Sequence, residues 1–202
     1  MWRRPRITGL PLQRLSESDR FFLEEVFSLE EVWLVVSSFD GNKAPGQDGF
    51  NLNFIKENWK VIKDDFMCFM IDFHHNRAIV KELNQTFIVL IPKCLKPEVM
   101  KVFRPISLVS SLYKVLVKVL ANHLKKVIGS VVGENQMAFV QDRHILNSFV
   151  LAEEIIHHWK WSKDGGLMVK LDFEKAYDRL DHNFLDDILN DMGFGWKWRE
   201  WM

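Results

Sequence analysis

Residues 112–128 carry the most regular helical pattern in the chain. Apolar side chains recur there at three- and four-residue steps, while the lysines fall mostly outside the stripe. An amphipathic helix of this kind buries its apolar face against other elements. The stripe consists of Leu112, Val115, Leu116, Val119, Leu120, Leu124, Val127 and Ile128, and Gly129 is a plausible stop. The pattern therefore predicts a long helix packed on a core.

Further helical patterns lie on both sides of this stripe. "LSESDRFFLEEVFSLEEVWLVVSSF" leads into the Gly- and Pro-containing loop "FDGNKAPGQDGFN", and Ser28 with Glu31 is a possible capping box for a second helix. "LNFIKENWKVIKDDFMCFMIDFHHN" indicates one amphipathic helix or two. Helices are also expected in the second half of "ENQMAFVQDRHILNSFVLAEEIIHHWKW" and in "NFLDDILNDMGF".

Two stretches indicate β-strands. "TFIVLIPK" is short and β-branched, and Pro92 stops it. "LMVKLD" (167–172) would place Met168, Lys170 and Asp172 on one face of a strand. Its mostly apolar residues are followed directly by the acidic Asp172, as at the end of a buried strand. Because strands and helices do not alternate regularly, the predicted fold class is α+β and mostly helical, rather than a doubly wound sheet.

Composition limits the class of protein. Apolar residues make up 48% of the chain, which excludes a disordered protein. Lys plus Arg equals Asp plus Glu, so any nucleic-acid surface has to be local. Two Cys argue against a disulfide framework or a Cys-rich zinc site and indicate an intracellular, reducing compartment, nucleus or cytoplasm. No apolar run is long enough to suggest a membrane span, and the oligomeric state is not indicated.

Asp172 is the candidate catalytic residue. A carboxylate at a strand end is held rigidly yet open on one side, and Mg²⁺ takes only one or two protein carboxylates beside substrate phosphate. Taken singly, the pattern more often marks a helix N-cap or an Asx turn. Lys93 and Arg104 flank a polar connector, and a Lys point charge with an Arg fork suits a triphosphate. Tyr177 follows Asp172 by five positions, close enough in sequence to line the same pocket.

Five stretches occur in order: "NKAPGQDGF", "FIVLIPK", "FRPISLVSSLYKVLVKVLANHL", "NQMAFVQDRHI" and "KLDFEKAYDRLDH". Together they resemble the reverse transcriptase of non-LTR (LINE-type) retrotransposons, of the kind abundant in plants, from about Arg4 to the last residue. The resemblance implies a right-hand polymerase, with a helical N-terminal extension at 1–40 and the fingers and first palm motif at 41–202. It also implies RNA-directed DNA synthesis from an RNA template, a DNA primer and deoxynucleoside triphosphates, with two Mg²⁺ ions.

The resemblance carries roles onto matching positions. Asp172 would be the first metal-binding aspartate, and the backbone carbonyl of Phe173 would be a second ligand. The other positions would contact the nucleotide, and they are Lys93 and Arg104 through their side chains, Lys175 and Ala176 through their amides, and Tyr177 through its ring. Tyr177 would pack under the sugar and exclude a 2′-hydroxyl. Gln136 and Arg143 match a motif whose role stays open.

One departure from the family concerns the chemistry. A second acidic motif with two aspartates is needed on a later palm hairpin. Asp64-Asp65 precedes Asp172, Asp186-Asp187 follows it too closely, and both pairs lie in helical patterns. The chain ends before that motif would occur, so one aspartate is expected to bind Mg²⁺ weakly, and the chain alone is not expected to polymerise. Asp142 and Gln47 stand where Gly and Pro are usual, without touching the chemistry.

Two alternative functions stay open. A non-catalytic nucleic-acid-binding remnant would use Arg104 and the helix face of Lys114, Lys118, Lys125 and Lys126, although a solvated helix face explains the lysines more simply. Lys114, Lys118 and Arg143 would be its contacts with nucleic acid. A helical protein-interaction domain would use the many aromatic side chains but does not explain the co-occurring motifs. The loop with Lys43, Pro45 and Asp48 would either lie over the template or be an ordinary turn. A palm sheet cut after its first strand would also make the chain poorly soluble.

Overall fold

The computed structural model describes residues 11–162, 166–173 and 176–202. Within these ranges lie eight α-helices, a single 3-10 turn at Met100–Val102 and one two-stranded sheet. The strands are β1 (Thr86–Pro92) and β2 (Phe103–Val109). The helices are α1 (Glu17–Leu23), α2 (Leu29–Ser38), α3 (Leu52–Glu57), α4 (Trp59–Asn76), α5 (Ser111–Val131), α6 (Ile145–Ser162), α7 (His182–Asp191) and α8 (Trp196–Trp201). This mixture fits the predicted α+β, mostly helical class.

The chain divides into two compact units. The first unit comprises Met1–Glu24, Leu124–Glu200 and Met202, and the second comprises Glu25–His123 and Trp201. Helix α5 therefore gives its residues 111–123 to the second unit and 124–131 to the first. The predicted boundary near residue 40 stays a prediction. No helix in the described ranges is both long and apolar enough to cross a membrane.

The core of the second unit forms around the predicted helical stripe. Val115, Leu116 and Val119 on α5 are fully buried, as are Val32 and Val36 on α2. The apolar spacing of both helices dictates this arrangement, since each presents one face to the core. The further buried apolar residues of the unit are Phe27, Val35, Leu52, Ile55, Phe66, Met70, Phe73 and Leu120.

Helix α2 begins with half of the predicted capping box. The Ser28 hydroxyl accepts a hydrogen bond from the amide of Glu31 at 3.1 Å. The Glu31 carboxylate bonds instead to buried His123, with 2.6 Å between Oε1 and Nε2. Burial of an imidazole is costly unless its nitrogens find partners, so this bond ties α2 to α5.

Helix α5 extends past its predicted stop. Gly129 lies inside the helix, which ends at Val131. The prediction of a stop at Gly129 was wrong, because Arg143 hydrogen-bonds the carbonyls of the last turn and so holds it in place. The predicted apolar stripe nevertheless continues to the end of the helix, where Val127 and Val131 are buried.

Strands β1 and β2 form an antiparallel ribbon in the second unit. The register pairs Thr86 with Val109 and Pro92 with Phe103. The prediction of β1 is confirmed. Strand β2 was not predicted, because Pro105 interrupts its pattern. Proline is tolerated at the edge of a sheet, and both strands of an isolated pair are edges.

The predicted strand at 167–172 is absent from the structure. Residues 166–173 are neither helix nor strand, and all are exposed. The side chains of Leu167 and Leu171 are 86% and 73% exposed, so the predicted burial was wrong. An alternating pattern says which face a strand would bury, but burial needs a neighbouring strand, and none pairs with this segment in the described part of the chain.

Candidate nucleotide-binding site

Asp172 lies on an exposed stretch of the first unit. Its neighbour Phe173 is 76% exposed. Residues 176–179 form a turn, in which the amide of Leu180 donates to the carbonyl of Tyr177 at 3.2 Å. The Tyr177 ring is 83% exposed. Asp172, Phe173 and Tyr177 are therefore exposed residues, and Asp172 does not lie at the end of a strand.

The amide of Ala176, which is predicted to approach a triphosphate, is not at a helix start. Lys175 lies outside the described residues. Ala176 opens the turn, whereas α7 begins later, at His182. Asp181 already caps that helix, since its Oδ1 accepts from the amides of Asn183 and Phe184 at 3.0 and 3.2 Å. Helix α7 thus gives no N-terminal support to an anion at Ala176.

Lys93 and Arg104 lie on the β1–β2 ribbon of the second unit. Ile91 pairs with Arg104, and the amide of Lys93 donates to the carbonyl of Val102 at 2.8 Å, which continues the ladder. Residues paired directly across a ribbon share a face, as do residues two apart on a strand. Lys93 therefore shares the face of Arg104 at the diagonal position, within reach of long side chains.

The two cations of the ribbon differ in their present contacts. The Lys93 ammonium donates to the carbonyl of Lys101 at 3.2 Å, near the ribbon end. The exposed Arg104 guanidinium makes no hydrogen bond or ion pair with any residue in the described ranges. A guanidinium fork binds phosphate in a bidentate manner, and an ammonium adds a point charge. This face of the ribbon can therefore bind a polyphosphate.

Two of the four lysines of α5 between residues 114 and 126 already have partners for their ammonium groups. The Lys114 ammonium donates to the carbonyl of Ala44 at 3.2 Å. Lys126 lies over the ring of Phe22, 4.7 Å from its centroid. Lys118 is half-buried and makes no ion pair or hydrogen bond to the described part of the chain. Lys114 and Lys118 are both predicted to contact nucleic acid, and of these two only Lys118 has an ammonium without a partner among the described residues.

The Arg143 guanidinium is bound to backbone carbonyls. Its guanidinium donates to the carbonyls of Gly133, Gln136, Gly129 and Val132 at 2.6 to 3.2 Å. The Gln136 side chain donates to the carbonyl of Ala138 at 3.1 Å. The sequence left the roles of both residues open, and their contacts are intramolecular.

Asp48, in the loop at 40–50, makes a contact that sequence reasoning missed. Asp48 Oδ2 accepts from the amide of Ser111 at 2.6 Å, and its Oδ1 is buried without a hydrogen-bond partner in the described ranges. Ser111 lies 63 positions away in sequence. Because capping patterns are local, no spacing rule could have linked the two residues.

The donor set for Mg²⁺ is sparse. No group of three or more His, Cys, Asp or Glu side chains that could hold a metal ion occurs among the residues with described positions. An exposed Asp172 carboxylate beside the Phe173 carbonyl fits the small protein share of a Mg²⁺ shell, whose other ligands are water and phosphate. The residues present therefore fit one part of a magnesium site.

Comparison with known proteins identifies two similarities. The family described as "Reverse transcriptase (RNA-dependent DNA polymerase)" matches residues 91–202, more than half of the chain. That segment contains Lys93, Arg104 and Asp172. The chain is also similar to the "Transposon TX1 uncharacterized 149 kDa protein" of Xenopus laevis, with 29% identity over 187 residues. The match covers 93% of this chain and 14% of that protein, so the chain spans a small part of its relative.

Proposed function

The chain belongs to the reverse transcriptase (RNA-dependent DNA polymerase) family, and we propose that it supplies the fingers and first palm motif of such an enzyme. The resemblance to non-LTR (LINE-type) retrotransposon enzymes is confirmed by the family match and the transposon relative, and the plant type stays a prediction. The proposed reaction is extension of a DNA primer on an RNA template with deoxynucleoside triphosphates.

The shared face of Lys93 and Arg104 carries this proposal. Both residues lie in the matched segment, Arg104 on β2 and Lys93 directly after β1, at diagonal positions of one ribbon face. The Arg104 guanidinium would bind two phosphate oxygens. The Lys93 ammonium would give up its hydrogen bond to the carbonyl of Lys101 and bind a third phosphate oxygen instead. Charge-assisted bonds of this kind are about twice as strong as neutral ones.

The first-unit residues would act on the metal and the sugar. Asp172 and the Phe173 carbonyl would hold Mg²⁺ beside the phosphates. The Tyr177 ring would pack under the sugar, and the amides of Lys175 and Ala176 would approach the triphosphate. Magnesium, when bound, supplies the positive charge that an attacking hydroxyl and a departing pyrophosphate need.

Contacts to the template and primer would be limited on this chain. The ammonium of Lys114 and the guanidinium of Arg143 already donate to backbone carbonyls. Lys118 is thus the better candidate for a nucleic-acid phosphate. The net charge of zero provides no long-range attraction, so the non-catalytic nucleic-acid-binding alternative receives little support.

Nucleotide titration tests the proposed phosphate site. We expect Lys93→Ala and Arg104→Ala each to weaken binding of dTTP about 10-fold or more, since a hydrogen bond to a charged group contributes roughly 1.5–3 kcal/mol. Arg104→Lys should recover only part of the loss, because an ammonium cannot form the bidentate fork. Binding is measured by the shifts of backbone amide resonances.

Lys96→Ala provides the matched control for this titration. Lys96 is an exposed lysine of the connector between β1 and β2, so the variant removes the same charge near the ribbon but off its face. If Lys93→Ala, Arg104→Ala and Lys96→Ala bind dTTP with equal affinity, the ribbon is not the phosphate site.

A further inference from the structure

Helix α5 begins against the 40–50 loop. Its first amide, that of Ser111, donates to Asp48 Oδ2 at 2.6 Å, and the Ser111 hydroxyl donates to the carbonyl of Phe50 at 2.7 Å. The Ser110 hydroxyl accepts from the amide of Tyr113 at 3.3 Å. The first four amides of a helix have no partner within the helix, so the bonds from the amides of Ser111 and Tyr113 satisfy two groups that would otherwise be orphaned.

The same loop contacts the end of the ribbon. Gly46 is buried against the backbone of Val109 and Ser110, where β2 passes into α5. The Lys114 ammonium, one turn into the helix, donates to the carbonyl of Ala44. The loop therefore packs over the junction between β2 and α5, and Asp48 is its charged contact with the helix.

Helix α5 ends against a second loop. The Arg143 guanidinium donates to the carbonyl of Gly129 at 3.1 Å and to that of Val132 at 3.2 Å, at the last turn. It also donates to Gly133 and Gln136 in the segment that follows, at 2.6 and 2.9 Å. The last four carbonyls of a helix lack internal partners, and the guanidinium here bonds that of Gly129 in the last turn and that of Val132 directly after the helix.

The charges of the two loop residues match the ends they contact. A helix carries partial positive charge at its N-terminus and partial negative charge at its C-terminus. Asp48 places a carboxylate at the first end of α5, and Arg143 places a guanidinium at the second. The two motifs that received no chemical role, "NKAPGQDGF" and "NQMAFVQDRHI", thus supply opposite caps for one helix.

We propose that Asp48 and Arg143 are positioning residues that fix the two ends of α5. Asp48 locks the loop onto the β2–α5 junction and thereby holds the ribbon face of Lys93 and Arg104. Arg143 keeps the C-terminal turn of α5 wound past Gly129. The consequence for Lys93 and Arg104 rests on the proposed triphosphate site, whereas the capping itself does not.

Hydrogen exchange of the full chain, followed by mass spectrometry of its peptides, tests the capping. We expect Asp48→Ala to raise local exchange in the peptide 109–116 roughly 2- to 30-fold, the range for loss of an N-cap side chain. Asp48→Asn keeps an acceptor oxygen and should recover much of this protection. Arg143→Lys should raise exchange at 127–133 instead, because an ammonium cannot reach four carbonyls from one position.

Two control variants make the same substitutions away from α5. Asp40 lies in the same loop, where its carboxylate accepts the nearby amide of Asn42, so Asp40→Ala should leave 109–116 unchanged. Arg14 donates to the carbonyl of Asp191, so Arg14→Lys should leave 127–133 unchanged. Equal protection of 109–116 in the wild type, Asp48→Ala and Asp40→Ala would overturn the N-terminal cap. Equal protection of 127–133 in the wild type and Arg143→Lys would overturn the C-terminal cap.

Nucleotide affinity separates positioning from simple stabilisation. At a temperature where all variants are folded, Asp48→Ala should weaken dTTP binding several-fold, Asp48→Asn should largely restore it, and Arg143→Lys should leave it unchanged. Equal weakening by Asp48→Ala and Arg143→Lys would show general destabilisation and overturn the positioning role. If the wild type binds no dTTP, the proposed phosphate site fails, while the exchange data still decide whether the two caps exist.

Discussion

At the residue scale, Gly46 shows how closely the 40–50 loop approaches the rest of the second unit. A Cβ at this position would overlap the carbonyl oxygen of Val109 and lie 2.7 Å from the amide nitrogen of Ser110. Both obstacles are backbone atoms, so neither can turn aside as a flexible side chain would. Glycine is required here for close approach of two backbone segments.

Gly46→Ala is therefore expected to destabilise the protein. Forcing one methyl group into packed backbone should lower the free energy of unfolding by about 1–3 kcal/mol. Gly133→Ala is the control, because a Cβ at Gly133 meets nothing within 4 Å. Urea unfolding followed by tryptophan fluorescence measures both variants, and equal stability of the two would contradict the close approach.

Single residues could be predicted from sequence where their partners are local. The cap of α2 was predictable, because Ser28 and Glu31 lie within one turn. The hydrogen-bond partner of the Glu31 carboxylate could not be predicted, because His123 is 92 positions away in the sequence. Asp48 and Arg143 were likewise visible as motif residues, but their contacts depend on where the chain brings α5.

At the element scale, helices α5 and α6 differ in what covers them. Both show regular apolar spacing, and α5 buries its stripe. Helix α6 has no buried residue, and Ile145 and Phe149 on its apolar side are more than 60% exposed. Helices in proteins derive most of their stability from packing, so α6 should be far less stable than α5.

Hydrogen exchange should therefore be uneven along the chain. We expect the central amides of α6 to exchange at least about 10-fold faster than those of α5, since regions with few buried apolar contacts open most readily. Peptides covering 148–158 and 115–125 compare the two helices in one sample. Equal protection of both peptides would mean that α6 is covered in solution.

Element types followed from periodicity more reliably than their packing. The spacing of apolar residues predicted α4, α5, α6 and α7, and the β-branched run predicted β1. Periodicity alone cannot state whether a partner surface exists. This limit explains both the uncovered face of α6 and the failure of the expected strand at 167–172.

At the scale of the whole molecule, the acidic groups are dispersed. Asp64-Asp65 lies in α4, and Asp186-Asp187 lies in α7, where Asp186 forms an ion pair with Arg199 at 2.9 Å. Neither pair can serve as the second acidic motif of a polymerase hairpin. No cluster of three or more His, Cys, Asp or Glu side chains that could hold a metal ion occurs in the part of the chain with described positions, so the carboxylates that two divalent cations held close together require are not assembled there.

These 202 residues, assayed alone, should not extend a primer. The measurement is incorporation of radioactive dTTP on a poly(rA) template with an oligo(dT) primer and Mg²⁺. Asp172→Asn is the matched control, because it removes the remaining candidate carboxylate without changing size. Template-dependent incorporation by the wild type above that control would refute the expectation.

The family was predicted from motifs, and the site geometry was not. Five ordered stretches were specific enough to identify a reverse transcriptase. They assigned Asp172 and Lys93 to one pocket by analogy, and this assignment stays a prediction, whereas the strand expected at 167–172 is not formed. A motif preserves the identity of reacting groups, whereas their arrangement depends on neighbouring strands and on bound ions.

The two ends of α5 differ in the sequence distance that they span. Arg143 reaches back 14 positions or fewer to its carbonyls, whereas Asp48 and Ser111 are separated by 63. Closing a short loop costs less chain entropy and occurs sooner than closing a long one. During folding, the C-terminal turn of α5 should thus be secured first. The ribbon would gain its final orientation only in a late step, when Asp48 forms its hydrogen bond with Ser111.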